Sequence, residues 1–281
     1  METVSCYNCG VSDTTDFATE NGYDLRKCTQ CGLLYVNPRP NEAEIEQAHR
    51  LGEHKGAKKL GTTGFYDFSK VSTYLRTLED LFGDGRALEG KRWLDIGCGY
   101  GEFMLALKKF SRNKLDVRGL EPNERKTAAA RRQGLNVSFF DLDGHTETYD
   151  FISLLNVYSH LPNPPKAIAA WAHLLDAGGS LLLETGDTAD MPSDSHPTPY
   201  YLPDHLSFAS ESIVRGVLEK AGFEILKVQK YPEVRETPAA LIRETLKLLV
   251  PGKHSRIMRV IKREMLHMDM YVLARLKRVP G

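Results

Sequence analysis

The sequence has no apolar run that approaches the roughly 20 residues of a transmembrane helix. Its N-terminus lacks the charged and apolar regions of a signal peptide. An excess of charge is also absent, because Lys plus Arg and Asp plus Glu each total 37. These absences disfavour a membrane protein and a dedicated nucleic-acid binder, and they make the cytoplasm the expected location. The 281 residues are enough for one large domain with a smaller appendage.

Cysteine is scarce, and its five copies are unevenly placed. Four of them form two Cys-x2-Cys pairs, Cys6 with Cys9 and Cys28 with Cys31, separated by 18 residues. Two such pairs can supply four thiolates to one tetrahedral zinc ion, which stabilises a module too small to hold its own core. The spacing predicts a zinc ribbon with structural zinc over residues 1–40. An iron–sulfur cluster is the alternative, and a disulfide framework is disfavoured without an export signal.

The rest of the chain divides into a helical stretch and a longer alternating region. Residues 41–90 are predicted as a linker and N-terminal helices, including an amphipathic helix at 65–82. Residues 91–281 alternate between strand-like and helix-like segments, with a predicted helical insertion at 236–268 before a last strand at 270–276. Strands separated by helices of about ten residues predict an α/β fold, in which a mostly parallel sheet carries helices on both faces.

A glycine-rich turn, Gly97-Cys98-Gly99-Tyr100-Gly101, follows the first strand of the alternating region. Glycine allows positive φ and close approach of a ligand, and the helix N-terminus that follows suits an anionic group. Twenty residues after Gly101, Glu121 ends the second strand, where a carboxylate can accept hydrogen bonds from both ribose hydroxyls. The turn and the acid together predict an adenosine-type cofactor. The third glycine comes one residue too early for G-x-G-x-x-G, which disfavours a nicotinamide-dependent oxidoreductase.

The glycine-rich turn and the segments that follow it resemble class I methyltransferases that use S-adenosyl-L-methionine (SAM). Trp93–Gly101 is similar to the first motif of that family, and the later segments keep the family's order and spacing over roughly residues 90–230. Those later segments are Gly119–Pro122, Phe140-Asp141, Tyr149-Asp150, Asn156–Pro162 and Leu174–Gly179. The resemblance implies a Rossmann-like, seven-stranded sheet and SAM as the cofactor.

The resemblance also implies roles for individual residues of the cofactor site. Asp95, Gly97 and Gly99 are expected to bind the methionine end of SAM, and Glu121 is expected to bind the ribose. Asp141, with Asp143 as its alternative, is expected to bind the adenine edge. Asn156 is expected to face the sulfonium region. Cys98 is expected to be a small buried filler and not a nucleophile. The helix at 65–82 is expected to close over the cofactor, with Tyr66 and Tyr74 packing in the core in preference to contacting SAM.

A second resemblance concerns the acceptor. The segment Asp204–Phe208 is similar to the DHLxFF segment of small-molecule methyltransferases, with Ala209 in place of the last aromatic residue. In that family the histidine lies near the acceptor, so His205 is the predicted general base and His160 the second candidate. The structural alternatives are a His205 bonded to the loop backbone and a His160 that caps the next helix. His196 is expected in solvent.

The cysteine region and its continuation to residue 40 also resemble bacterial methyltransferases with an N-terminal zinc ribbon, many of which tailor sugars and natural products. The expected function is in-line methyl transfer to a small-molecule or sugar acceptor, at a hydroxyl. C- or N-methylation, a tRNA or protein substrate and a non-catalytic SAM-binding scaffold are the alternatives. A basic face in the tail is interpreted either as solvated or as a clamp for a nucleotide-linked sugar; it comprises Lys253, Arg256, Arg259, Lys262 and Arg263.

Overall fold

A computed structural model of the chain describes residues 1–140, 145–231, 242, 245–247 and 268–277. The strands are β1 (Thr14–Glu20), β2 (Tyr23–Cys28), β3 (Leu34–Val36), β4 (Glu53–His54), β5 (Leu60–Gly61), β6 (Arg92–Ile96), β7 (Asp116–Glu121), β8 (Val137–Phe139), β9 (Tyr149–Leu155), β10 (Leu175–Gly186), β11 (Ser207–Phe208), β12 (Phe223–Tyr231) and β13 (Asp269–Leu276). The α-helices are α1 (Glu42–Leu51), α2 (Phe68–Phe82), α3 (Glu102–Phe110), α4 (Glu124–Arg132), α5 (Pro164–Trp171) and α6 (Glu211–Lys220).

The largest sheet has seven strands in the order β12-β13-β10-β9-β6-β7-β8. β13 runs antiparallel to both of its neighbours, and the other pairings in this sheet are parallel. The chain runs outward from β6 through β7 to β8 and then returns to β9 on the other side of β6. Doubly wound sheets bind ligands at such a reversal, beyond the carboxyl ends of the two strands that flank it, which here are β6 and β9. The predicted Rossmann-like sheet is confirmed.

Helices cover both faces of the large sheet. Successive side chains of β6 alternate between two apolar layers: Trp93 packs in one layer, and Leu94 and Ile96 pack in the other. The first layer contains α2 and α3, with Leu78 and Phe103 fully or nearly buried. None of the helices in the described part of the chain combines the length and the apolar composition of a membrane span.

The N-terminal region forms a separate four-stranded sheet in the order β1-β2-β3-β11. Its fourth strand, β11, comes from far along the chain and pairs antiparallel with β3. Side chains of this region, including Leu25 and Leu34, pack in the same apolar cluster as Ile168 of α5. The proposed ribbon module at residues 1–40 therefore shares both a sheet and a core with the large domain.

The segment after the ribbon has more structure than the predicted helix and linker. α1 begins at a capping box, in which Asn41 and Glu44 satisfy each other's backbone N–H groups, and it ends at Gly52 in the left-handed conformation. The chain then forms the β4–β5 hairpin. The segment Leu174–Gly179, which resembles the methyltransferase family, continues into β10 from Leu175, and the pairing register with β9 shifts between Leu175 and Ser180. Most of the predicted insertion at 236–268, and the basic face within it, lies outside the described residues.

Candidate functional site

The glycine-rich turn joins β6 to α3 at the carboxyl edge of the sheet. Gly97, Gly99 and Gly101 have φ values of 74°, 57° and 87°. A Cβ on Gly97 would lie 2.5 Å from the side chain of Val157, and a Cβ on Gly101 would lie 2.2 Å from that of Leu135. A Cβ on Gly99 would meet nothing within 4 Å. Positive φ favours glycine at all three positions, and close side chains add to this preference at Gly97 and Gly101, whereas the Cβ side of Gly99 is open.

Glu121, at the end of β7, holds the glycine-rich turn in place. Its Oε2 accepts a hydrogen bond from the N–H of Gly99 at 2.8 Å, and its Oε1 accepts one from the N–H of Asn123 at 2.9 Å. Burial raises the pKa of this carboxyl, although Lys126 and the two N–H groups act in the opposite direction. Each carboxylate oxygen can still accept a second hydrogen bond, so the predicted ribose contact remains available.

Asp95 lies beneath the same turn and is 2 % exposed. It accepts a hydrogen bond of 2.6 Å from Ser153 Oγ, which in turn accepts one from Trp93 Nε1 at 2.9 Å. Burial, together with the nearby carboxylates of Glu121 and Glu102, raises the pKa of Asp95 to about 7. The carboxylates of Asp95, Glu121 and Glu102 disfavour one another's ionised form, so their site favours a cationic ligand. The ammonium and sulfonium groups of SAM fit this donor set.

The segment before α2 crosses the glycine-rich turn. The N–H of Asp67 donates to Glu102 Oε1 at 3.1 Å, and Tyr100 Oη donates to the carbonyl of Gly64 at 3.0 Å. Tyr74 of α2 packs edge-on against Phe103, with ring centroids 5.3 Å apart. These contacts agree with a helix that covers the cofactor side of the sheet and with a packing role for Tyr74. Asp141 and Asp143, predicted for the adenine edge, lie outside the described residues.

Asn156, directly after β9, is hydrogen-bonded to Glu184 of β10. Asn156 is exposed and has a φ of 55°, which is uncommon for a residue other than glycine. Its N–H donates to the carbonyl of Glu184 in β10 at 3.2 Å. Burial and the carboxylate of Asp269 raise the pKa of Glu184 to about 8. Sequence analysis did not identify Glu184, because a single Glu at a strand end has no distinguishing pattern.

Four histidines and one aspartate meet beyond the carboxyl ends of β9 and β10. This histidine cluster consists of His49, His54, His160, Asp204 and His205. The rings of His160 and His205 are 4.8 Å apart, those of His49 and His160 are 6.0 Å apart, and those of His49 and His54 are 5.6 Å apart. Sequence analysis predicted His160 and His205 for this region. It missed the other two histidines, which come from the segment after the ribbon and have no motif around them.

Asp204 organises the histidine cluster. Its Oδ1 lies 2.9 Å from His54 Nε2 and 3.3 Å from His160 Nδ1, and its backbone carbonyl lies 2.9 Å from the same Nδ1. Because both neighbours of His160 Nδ1 are acceptors, that nitrogen must carry the proton, and Nε2 is the nitrogen left to accept one.

The surroundings of the two candidate bases, His160 and His205, shift their pKa values in opposite directions. Burial opposes protonation of His160, but the Asp204 carboxylate outweighs burial and raises its pKa. The Asp204 pKa is itself held far below its usual range by His160 and His54, despite burial. Burial, together with the charge of His160, lowers the pKa of His205 to about 4, so His205 is neutral at physiological pH.

Two expectations about histidines are wrong. His196 is 6 % exposed, because its loop folds back on the N-terminal sheet and places the ring against Phe17, Tyr200 and Phe208. His160 does not cap α5. The side chain of Asn163 accepts the N–H of Lys166 and takes that role. Cys98 is buried, as expected for a filler.

The four N-terminal cysteines converge on one point. Cys6 Sγ lies 3.5 Å from Cys31 Sγ, Cys9 Sγ lies 3.5 Å from Cys28 Sγ, and all four sulfur atoms are within 4.8 Å of one another. A zinc ion with Zn–S bonds of about 2.3 Å needs tetrahedral S···S edges of about 3.8 Å, so the arrangement fits. The two cysteine pairs lie in separate turns of the same type. The N–H of Gly10 donates to the carbonyl of Cys6 in the first turn, and the N–H of Gly32 donates to the carbonyl of Cys28 in the second.

Comparisons with known proteins agree with this geometry. A family profile described as "Methyltransferase domain" matches residues 68–228, more than half of the chain. A curated relative is the ubiquinone biosynthesis O-methyltransferase of Nitrosococcus oceani, 29% identical over 163 residues, which are 53% of this chain and 63% of the relative. The chain thus spans less than two thirds of that relative's length.

Solved structures share the fold. A SAM-dependent methyltransferase from Archaeoglobus fulgidus is similar with a TM-score of 0.53 and 19% identity, covering 73% of this chain and 94% of the other. The [4+2]-cyclase SpnF is similar with a TM-score of 0.50 and 20% identity, covering 76% of this chain and 82% of the other. At these identities the similarity establishes the fold alone.

Proposed function

This chain belongs to the methyltransferase-domain family of SAM-dependent enzymes, and we propose that it methylates an oxygen of a small organic acceptor such as a sugar. The observation that carries the proposal is the histidine cluster, in which a histidine oriented by a carboxylate lies close enough to Glu121 to interact with it electrostatically. A hydroxyl is a poor nucleophile until its proton leaves, so its methylation requires such a base. The relative from Nitrosococcus oceani is named for O-methylation in ubiquinone biosynthesis, which supports an oxygen acceptor.

We assign the cofactor side to the glycine-rich turn and its carboxylates. Asp95, Gly97 and Gly99 would hold the methionine end of SAM, Glu121 the ribose, and Asp141 the adenine edge, with Asn156 near the sulfonium. SAM supplies an electrophilic methyl group there. The turn and the segment before α2 limit the access of water and align the acceptor with that methyl group, and alignment itself accounts for much of the rate of a displacement.

We assign proton removal to the histidine cluster. His160 is oriented for it, because Nδ1 is committed to Asp204 and Nε2 is free to accept a proton. The Asp204 carboxylate stabilises the imidazolium that forms. His205, the base predicted from the sequence, lies against His160 and is the other candidate; its lowered pKa suits a neutral ring that accepts a hydrogen bond from the acceptor.

A transfer assay tests this proposal. Zinc-loaded protein is incubated with methyl-labelled SAM and separate panels of nucleotide-linked sugars, small phenols, tRNA and peptides. We expect label in a small hydroxyl compound, and the chemical shift of the transferred methyl carbon should identify an O-methyl group. Label in tRNA or peptide would overturn the acceptor class, a C- or N-methyl product would overturn the oxygen assignment, and SAM binding without any transfer would favour the scaffold function.

The affinity for SAM should fall as the pH drops below about 7. The pKa of Asp95 is raised to about 7 in the absence of ligand, so the anion that attracts the cationic cofactor is present above this pH and is lost below it. We expect binding to be about tenfold weaker at pH 6 than at pH 7.5 in calorimetric titrations. Asp95→Asn should bind weakly at both values and flatten the profile. A pH-independent affinity in the wild-type protein would show that Asp95 does not sense the ligand charge.

A further inference from the structure

We propose that the turn of the β1–β2 hairpin in the ribbon is a clamp that sets the spacing of the histidine cluster. The clamp consists of Glu20, Asn21 and Tyr23. It binds the backbone of two of the segments that supply the cluster: residues 53–58, which contain His54, and residues 200–205, which contain Asp204 and His205. The inference rests on the proposed function, because it makes these three residues positioning residues for the acceptor site.

The first arm of the clamp holds the loop that precedes β11. The two carboxylate oxygens of Glu20 accept hydrogen bonds from the N–H groups of Tyr200 at 2.8 Å and Leu202 at 3.0 Å. Asn21 Nδ2 donates to the carbonyl of Leu202 at 3.1 Å. Three hydrogen bonds, two of them to a carboxylate, thus fix the backbone two residues before Asp204.

The second arm holds the segment that follows α1. Tyr23 Oη donates to the carbonyl of Lys55 at 2.7 Å. The backbone carbonyl of Asn21 accepts the N–H of Ala57 at 2.8 Å, and its side-chain Oδ1 accepts the N–H of Lys58 at 2.7 Å. A Cβ on Gly56 would lie 2.7 Å from the backbone carbonyl oxygen of Asn21 and 2.4 Å from its side-chain Nδ2, so a larger residue at position 56 would have to displace the clamp.

The two arms of the clamp contact the chain next to His54 and Asp204, two members of the histidine cluster. His54 directly precedes Lys55, and Asp204 follows Leu202 by two residues, so each arm ends beside one partner of the 2.9 Å contact between His54 Nε2 and Asp204 Oδ1. These partners are about 150 residues apart in the sequence, and the clamp is the shared support of their backbones. Because Asp204 also orients His160, a shift of either arm changes the position of the candidate base.

Strands β1 and β2 connect the clamp to the four-cysteine site. β2 carries Tyr23 at its start and Cys28 at its end, and Cys28 pairs with Thr14 at the start of β1. The loop is held again further along, where the N–H of Val36 donates to the carbonyl of Leu206 at 2.9 Å. The ribbon therefore contributes to the acceptor side of the enzyme, whereas the contacts of the glycine-rich turn lie on the cofactor side.

Two variants test the two arms separately. Glu20→Gln replaces one acceptor oxygen by an NH₂ group that faces a backbone N–H, and Tyr23→Phe removes only the hydroxyl that binds Lys55. Thr19→Val is the matched control, because Thr19 Oγ1 makes an exposed bond to Asp24 within the same hairpin. Each variant is examined by amide hydrogen exchange with mass spectrometry, by calorimetry with SAM, and by kinetics on the acceptor labelled in the transfer assay.

We expect exchange to accelerate about tenfold at residues 198–206 in Glu20→Gln and severalfold at residues 53–58 in Tyr23→Phe, with the control unchanged. SAM affinity should stay within about twofold, and kcat for methylation of the acceptor should fall about tenfold, because the displaced base acts in the chemical step. Unchanged exchange in both variants would overturn the clamp, whatever the acceptor. Faster exchange with wild-type kinetics would uphold the contacts but overturn their role in the acceptor site.

Discussion

Replacing His160 by Asn is expected to lower kcat by about 10²–10⁴-fold, while the affinity for SAM stays within about twofold. Asn keeps a donor near the position of Nδ1 and can still bind Asp204, but it cannot accept a proton. The loss should therefore fall on the chemical step. Single-turnover transfer measured over a range of pH, with SAM affinity determined in parallel, checks this result.

Two further variants decide which histidine is the base. His205→Asn should change KM for the acceptor more than kcat if His205 only binds the acceptor, and it should show the large kcat loss itself if it is the base predicted from the sequence. His173→Asn serves as the control, since His173 is exposed on the short turn after α5. Wild-type turnover in both His160→Asn and His205→Asn would remove the histidine cluster from the proton transfer.

Replacing Cys28 by Ser is expected to abolish zinc binding at the proposed four-thiolate site and to lower the thermal midpoint of unfolding by about 10 °C, which corresponds to about 4 kcal/mol for a domain of this size. Cys28 is 2 % exposed and lies where β2 meets the second turn of the site, so loss of its thiolate leaves an incomplete shell inside the core. Metal content by mass spectrometry and scanning calorimetry measure the two effects.

Cys98→Ser provides the control for this experiment. Cys98 is the fifth cysteine, lies in the glycine-rich turn, and is remote in sequence from the other four. Its replacement should leave one zinc ion per chain. Retention of zinc by Cys28→Ser, or iron and labile sulfide in the wild-type protein, would contradict the assignment of a four-thiolate zinc site.

The glycine-rich turn was predictable because its constraints are local. Gly97 and Gly101 are required by backbone conformation and by close neighbours, and a strand that ends in Glu121 follows at the spacing of one helix. Short-range rules of this kind leave a pattern in consecutive residues. The same holds for the cysteine pairs, where each tight turn places two sulfur atoms side by side.

The acceptor side could not be predicted to the same depth. His196 was expected in solvent because its neighbours are polar and proline-rich, yet Phe17 from the N-terminal hairpin covers it. His49, His54 and Glu20 lie in polar stretches without any motif. Their roles depend on contacts across about 150 to 180 residues, and no periodicity in the sequence records such contacts.

The sequence by itself therefore determined the strand and helix segments, the glycine-rich turn and the two Cys-x2-Cys pairs, since each depends on residues close together in the chain. Only the tertiary structure decided which side chains surround Asp204 and how the ribbon supports them. The physical reason is that a buried carboxylate acquires its partners from whichever segments the fold packs around it. Those segments are brought together by long-range strand pairing and backbone hydrogen bonds. Because any residue type can make backbone hydrogen bonds, these contacts produce no recognisable sequence pattern.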